Sequence, residues 1–344
     1  MAPSIAQLGS HPLLSICIPA YNGGATLLGL IDRLLESASH EFEIVVSDDC
    51  SSDGTLDDLQ RRMGADPRLR CQRNPANLGM DRNFAHSASL AHGRYIWFSG
   101  QDDLIDPAGV ERVIDYLHRH PETDFILMNH AKRVVGPHGE HLVAPATQAG
   151  HVTGTGLAPY VAHTHHALPT FLPTYLIRAE RWRAVDVDRY YGTCYCQVGV
   201  FLEAVRDMRW CHFAGNHVEG LEPANGWQTN PLAYVRITLG YMAMLSRARE
   251  RADWVTDDML RAFSLRHRRQ LIYSFLLEKS HRLSIDPSLK EESLRAIAPF
   301  VEVRRLVQLT RSLPAWACSS LLCLIEIRRK LRARIAGGWP HERR

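Results

Sequence analysis

The sequence predicts an α/β fold: a mostly parallel sheet flanked by helices, with a helical C-terminal extension. Two observations predict the sheet. Short apolar runs alternate with segments of helical period over residues 13–129. Polar clusters follow these runs, at the carboxyl ends of strands, where open α/β sheets bind ligands. A third predicts the extension: residues 230–300 return to helical patterning, as in 260–277.

The elements can be justified in order. Residues 13–19 (LLSICIP) read as a buried strand, and Asn22, Gly23 and Gly24 mark a turn. Residues 25–38 place Leu27, Leu28, Ile31, Leu34 and Leu35 at helical spacing, with Thr26 near the start. Residues 42–47 (FEIVVS) form a second strand, 55–63 a helix, 69–72 a short third strand and 80–91 a helix. Residues 95–99 (YIWFS) give another strand, 100–106 a polar turn, 110–120 a helix and 124–129 (DFILMN) a strand. From 136 to 170 Gly, Pro, His and Thr dominate and periodicity fades, the signature of an excursion over a site.

Composition excludes some classes. The chain has 344 residues, 45% apolar and 22% charged, ordinary for a folded protein and inconsistent with wholesale disorder. The eight cysteines include no C-x-x-C pair, which argues against zinc; reduced, buried thiols fit a cytosolic chain. The N-terminus lacks a basic region ahead of an apolar stretch, so it does not read as a signal peptide. No apolar stretch reaches the ~20 residues that span a bilayer. Residues 301–344 hold ten Lys/Arg against three Glu, a basic end whose partner would be an anionic surface. Trp316, Leu321, Leu324, Leu331 and Ile335 lie near one helical face there, with Arg328, Arg329, Lys330, Arg332 and Arg334 in the later turns. This pattern fits peripheral contact with an anionic membrane, or a packed helix with a solvated basic face. Nucleic acid is the weaker partner, because no recognised binding fold accompanies the charge.

Four polar clusters carry the chemistry. Pro19-Ala20-Tyr21-Asn22 offers a ring to stack on a base, or simply a turn. Asp48 and Asp49, in S-D-D-C-S-S-D-G-T, can accept from a base imide or ribose hydroxyls, while Ser51, Ser52 and Asp53 can cap the next helix. Arg73-Asn74-Pro75-Ala76-Asn77-Leu78-Gly79, with Arg82 and Asn83 beyond, feeds a helix start suited to phosphate or a polar ligand, or is simply an Asn-rich loop. Gly100-Gln101-Asp102-Asp103 can hold a hard divalent cation, Mg²⁺ or Mn²⁺, through one or two carboxylates plus substrate phosphates.

These motifs, in this order over about residues 13–135, resemble the family 2 inverting glycosyltransferases. The resemblance implies a GT-A fold, a nucleotide-diphosphate-sugar donor and a divalent metal. It implies that Pro19 and Tyr21 flank the base, that Asp49 meets the base with Asp48 beside it, and that Asp102 approaches the sugar or ribose while Asp103 binds metal; Asn22, Asn77 and Arg82 from the same clusters are further candidates for the nucleotide-sugar site. Gln101 stands where many relatives carry another acid, and Cys196-Gln197 where relatives carry the Glu-Asp pair whose Asp is the general base. Glutamine cannot take a proton, so His163, His165, His166, Glu203, Glu219 and Glu222 become alternatives for the base, with Gln197 left to hydrogen-bond the acceptor. Residues 169–182, with Tyr191-Gly192-Thr193, also look like the abequosyltransferase-type enzymes of O-antigen assembly. On this reading residues 1–229 form the transferase domain, with donor half 13–135 and acceptor half 136–229, and 230–344 the helical region with its basic tail. The acceptor would be a glycan, free or on a polyprenyl carrier. The rivals are a transferase to polyprenyl phosphate and an inactive nucleotide-sugar-binding subunit.

Overall fold

The computed structural model describes residues 12–136, 139–143, 150–222 and 230–336. It divides into two compact units, Met1–Ala224 with Arg247–Val255, and Asn225–Ser246 with Thr256–Arg344.

The first unit is built on a ten-stranded mixed sheet. Strands β1 (Leu14–Ala20), β2 (Phe42–Asp48), β3 (Leu69–Arg73) and β4 (Tyr95–Phe98) pair in parallel in the order β3-β2-β1-β4. The chain winds outward from β1 to β3 and then crosses to β4 on the other side. The loops after β1 and β4 therefore meet at a topological switch point, the place where such sheets take ligands. Helices α1 (Gly24–Leu35), α2 (Thr55–Met63) and α3 (Met80–Ser89) make the crossovers. α1 buries Leu27, Leu30, Ile31 and Leu34, an i, i+3, i+4, i+7 stripe that covers the sheet.

Beyond β4 the pairing changes. A two-residue strand β5 (Leu104–Ile105) precedes α4 (Pro107–Arg119), and β6 runs Phe125–Gly136. The polar turn and helix expected over 100–120 thus contain an added strand, and β6 extends past residue 129. β7 (Gly139–Val143), β8 (Val152–Thr155) and α5 (Leu157–His163) occupy the stretch where periodicity faded. They are followed by β9 (Tyr175–Arg178), α6 (Ala179–Arg183), α7 (Cys196–Ala204) and β10 (Arg209–Glu222). β9 is antiparallel to both β4 and β6, and β10 runs parallel to β6 while carrying β5 and β8 antiparallel. The core between sheet and α1/α4 holds Ile16, Ile18, Ile44, Val46, Trp97, Ile126 and Cys211. The result is a sheet that is parallel in its first half and mixed in its second.

The second unit is helical. It includes α9 (Asp257–Ser280), α10 (Pro287–Ile297), α11 (Val301–Ser312) and α12 (Ala315–Ala336), preceded by α8 (Pro231–Arg251), which crosses the unit boundary. Thr256 caps α9 by accepting from the Met259 amide, and Asp286 caps α10 from Ser288. Among the described residues no helix is long and apolar enough to cross a membrane. Side chains from Arg329 onward, including Lys330, Leu331, Arg332, Arg334 and Ile335, lie outside the described residues, as does the side chain of Glu222.

Candidate active site

The acid turn begins where β4 ends. The Ser99 amide donates to the Cys17 carbonyl (3.0 Å), and the chain then turns through Gly100. A Cβ at Gly100 would lie 2.4 Å from Asp103 Oδ2 and 3.1 Å from Asp102 Oδ1, so both carboxylates crowd a space that only glycine leaves open. Asp103 is buried and Asp102 exposed. Burial first, and then the neighbouring Asp102 charge, push the Asp103 carboxyl up to about 8, against a hydrogen bond from the Gly100 amide (3.2 Å). Among the described residues no three His, Cys, Asp or Glu side chains cluster for a metal. Two adjacent carboxylates, one of them buried, still fit Mg²⁺ or Mn²⁺, which take one or two protein carboxylates and complete their shells with phosphate and water.

Gln101 points the other way. Its Oε1 accepts from the Tyr21 amide (2.8 Å) and its Nε2 donates to the Tyr21 carbonyl (3.1 Å). Gln101 therefore clamps the loop after β1. Tyr21 keeps its ring half exposed above that clamp, and Pro19 lies level with Ser47 in the strand register. Asn22 has a left-handed backbone (φ 50), donates its amide to Ser51 Oγ (2.9 Å) and accepts from the Ser52 amide (2.9 Å). Asx chemistry, which tolerates this conformation, thus joins the loops after β1 and β2.

The two acids after β2 are both buried and do different things. Asp49 accepts from the Leu78 amide (2.7 Å), Asn74 Nδ2 (2.9 Å) and the Gly79 amide (3.0 Å), so it shapes the Asn-rich loop. Asp48 uses Oδ2 for the Ser51 amide (3.2 Å), and Arg73 Nε lies 4.0 Å away. Its Oδ1 is buried with no hydrogen-bond partner. A buried, unpaired carboxylate oxygen is costly and calls for a donor from elsewhere. The helix after these acids starts at Gly54 in a left-handed conformation without a side-chain cap, and Asp53 instead accepts from the Thr55 amide (3.1 Å).

A polar network explains much of the third motif. Asn83 Nδ2 donates to the carbonyls of Ala20 (3.3 Å) and Ser47 (3.1 Å), and its Oδ1 accepts from Ser47 Oγ (2.6 Å) and Asn74 Nδ2 (2.9 Å). Asn77 is exposed and accepts from the Gly79 amide within its own loop (3.0 Å). Arg82 is exposed, its guanidinium 5.2 Å above the Tyr191 ring. Beside it is a residue sequence reasoning passed over. Asp81, buried in the first turn of α3, accepts from the Cys194 amide (2.9 Å), and burial raises its carboxyl against these amide bonds. In sequence it reads only as an acid at a helix start; its partner is more than a hundred residues away.

In the second half of the sheet unit, Cys196 and Gln197 open α7, both buried. Gln197 Nε2 donates to the Thr170 carbonyl (3.3 Å), bringing the loop after α5 to the start of α7. That loop carries His165 and His166, both with left-handed backbones (φ 50 and 60). His163 hydrogen-bonds to His212 (2.7 Å), whose other ring nitrogen bonds Asn129 Oδ1 (2.7 Å). Glu203 accepts from the Tyr190 hydroxyl (2.6 Å), at the far end of α7. Glu219 forms an ion pair with Arg133, and the β10–β5 register sets it opposite Leu104, the residue after Asp103. His130, also unforeseen, packs at a tilt against the Phe171 ring (centroids 4.7 Å).

Residues 15–158 match the family described as Glycosyl transferase family 2. The chain is 30% identical over 203 residues to the abequosyltransferase RfbV of Salmonella typhimurium, covering 55% of this chain and 60% of that one. It is 28% identical over 106 residues to TuaG of Bacillus subtilis, a putative teichuronic acid biosynthesis glycosyltransferase, covering 31% and 42%. The chain thus spans less than two thirds of these relatives. Among solved structures, TarS residues 1–349 of S. aureus in complex with UDP superposes with a TM-score of 0.60 at 16% identity, over 96% of this chain and 93% of that one. The complex of the same protein with UDP-GlcNAc gives 0.59, over 85% and 82%. The GT-A fold is thereby established.

Proposed function

We propose that the protein transfers a sugar, with inversion, from a nucleotide-diphosphate donor to a glycan or lipid-linked glycan, in the assembly of a bacterial surface polysaccharide of the O-antigen kind. One observation carries the reading: the loops after β1, β2, β3 and β4 are bonded into one platform at the switch point, with the half-exposed Tyr21 ring and the Asp102/Asp103 turn on it and the Asp48/Asp49 pair buried within it. Tyr21 and Pro19 flank the base. Asp49 meets the base, with Asp48 beside it, and Asp49 also holds the Asn-rich loop that completes the pocket. Asp103, with Asp102, would hold Mg²⁺ or Mn²⁺, which neutralises charge on the leaving diphosphate. Arg82 and Asn77 lie along the same edge. Of the alternatives for the acceptor base, Glu219 is the one that strand register brings beside the acid turn. Gln197 and His166 shape the acceptor side through the Thr170 loop. The protein would work in the cytoplasm, peripheral at the inner face of the plasma membrane, where lipid-linked acceptors are presented.

The engagement of Gln197 with Thr170, in place of a free base, favours a second reading, an inactive nucleotide-sugar binder. The purified protein is incubated with Mn²⁺ and a panel of UDP-, GDP-, CDP- and dTDP-sugars, reading thermal shift and donor hydrolysis. Stabilisation and turnover with one donor, both lost in Asp103→Ala, support the transferase. Binding without turnover, even with a membrane lipid extract as acceptor, supports the binder. Binding of no donor removes both readings.

A further inference from the structure

Charge is divided unevenly between the two compact units. The helical unit holds 19 Lys/Arg against 9 Asp/Glu, a net of +10, while the rest of the chain holds 21 against 28, a net of −7. The whole chain, near neutral at +3, conceals this separation.

The basic unit also shows apolar surface. α11 and α12 both pack on α9. α11 buries Val303, Val307 and Thr310 and turns Val301, Leu306 and Leu309 outward, Leu309 at 63% exposure. α12 buries Cys318 and Leu322 and exposes Trp316 (73%), Leu324 (62%) and Ile327 (48%). Trp316, Leu324 and Ile327 stand at i, i+8 and i+11, one side of a helix. Cations are interleaved: Arg305 lies a turn from both Val301 and Leu309, and Arg304, Arg311 and Arg328 are exposed on the same two helices. Isolated exposed apolar residues are ordinary, but stripes of large ones on successive helices, rimmed by arginine, mark an interaction surface.

We propose that the helical unit as a whole, through α11 and α12 together, docks on an anionic lipid bilayer. A membrane interface satisfies both features at once: aromatic and aliphatic side chains enter the headgroup boundary, and guanidinium groups meet lipid phosphates. A nucleic acid would leave the stripes in water, and an uncharged apolar partner would leave the excess of +10 unmatched. The proposal rests on the transferase reading only for its purpose, delivery of a lipid-linked acceptor; the surface itself does not depend on the donor chemistry.

The full chain is floated with vesicles of phosphatidylcholine, alone or with phosphatidylglycerol at roughly 3:1, in low and high salt. The wild type floats with the anionic vesicles in low salt, is released by high salt, and ignores phosphatidylcholine. Trp316→Ser with Leu324→Ser lowers the bound fraction about tenfold, and Arg304→Gln with Arg305→Gln flattens the salt dependence. Unchanged melting temperatures and nucleotide-sugar thermal shifts show that these variants remain folded. Failure to float, equal binding to both vesicles, or wild-type flotation by both double variants overturns the proposal. So does a dimer in light scattering that Trp316→Ser/Leu324→Ser dissolves without any flotation; a second copy is then the occupant. Flotation without turnover on any donor leaves docking intact and removes the transferase reading, so the two can fail separately.

Discussion

A carboxylate at position 101 could accept from the Tyr21 amide, but it could not donate to the Tyr21 carbonyl. Glutamine does both (2.8 and 3.1 Å), so at this position it gives the loop after β1 a second hydrogen bond that a carboxylate could not. Gln101→Ala should raise the donor KM roughly fivefold to tenfold with little change in kcat, the scale of about one net hydrogen bond. Gln101→Glu should not restore it, because a carboxylate oxygen would then face the Tyr21 carbonyl; steady-state kinetics with the cognate donor measures both. Glu219→Gln, if Glu219 is the acceptor base, should lower kcat by about 10²–10⁴ while donor binding holds. A kcat within a few fold of wild type would remove that role. The acid pairs were legible as sequence because two adjacent carboxylates after a strand have few purely structural uses. Their division of labour was not, because Asp49 is occupied by amides of a loop some thirty residues further on, and sequence order carries no angle or distance.

Among elements, α7 shows how tightly the acceptor side is packed. A Cβ at Gly199 would fall 2.3 Å from the Tyr190 ring, and Tyr190 is itself buried and bonded to Glu203. Gly199→Ala should therefore destabilise the protein by about 1–3 kcal/mol, read as a lowered urea midpoint, despite alanine's better helix propensity. Asp81→Ala should loosen the connection into α7 at Cys194 by about 1–3 kcal/mol through an unsatisfied buried amide, with faster hydrogen exchange there as the readout. The first four strands and α1 to α3 were legible because each carries its own period and its own turn residues. β5 was not: two residues have no period, and the strand exists only because β10 offers Val218 and Glu219 as partners. β6 likewise outruns its apolar run, since pairing with β7 and β10 supplies what composition lacks.

Over the whole molecule, burial of histidine sets the response to acid. His130, His151, His212, His217 and His267 are all held below the usual imidazole range, chiefly by burial, His212 down to about 4. The unfolded chain protonates these rings near 6.5, so between roughly pH 6.5 and 4 it binds more protons than the folded one. Their contribution to stability is thus complete above pH 6.5 and falls as pH drops through this window. The raised carboxyls of Asp81 and Asp103 act in the opposite sense, so the difference between variants isolates the term. His212→Gln should lose ground to the wild type least at pH 5 and most at pH 7, measured by denaturant unfolding at each pH; a gap independent of pH would contradict it.

The sequence by itself determined the alternation of strands and helices, the order of polar clusters after the strands, the acid turn, and the basic, apolar-striped tail. Each of these is local: periodicity, turn chemistry and composition are properties of neighbours along the chain. Only the tertiary structure decided that Gln101 clamps Tyr21, that Asp48 rather than Asp49 keeps a buried oxygen without a hydrogen bond, that Gln197 is bound to Thr170, and that Glu219 stands opposite the residue after Asp103. These depend on which segments the sheet brings together, through pairings that close loops of tens to over a hundred residues, and a hydrogen bond at 3 Å is decided by packing that no local pattern encodes.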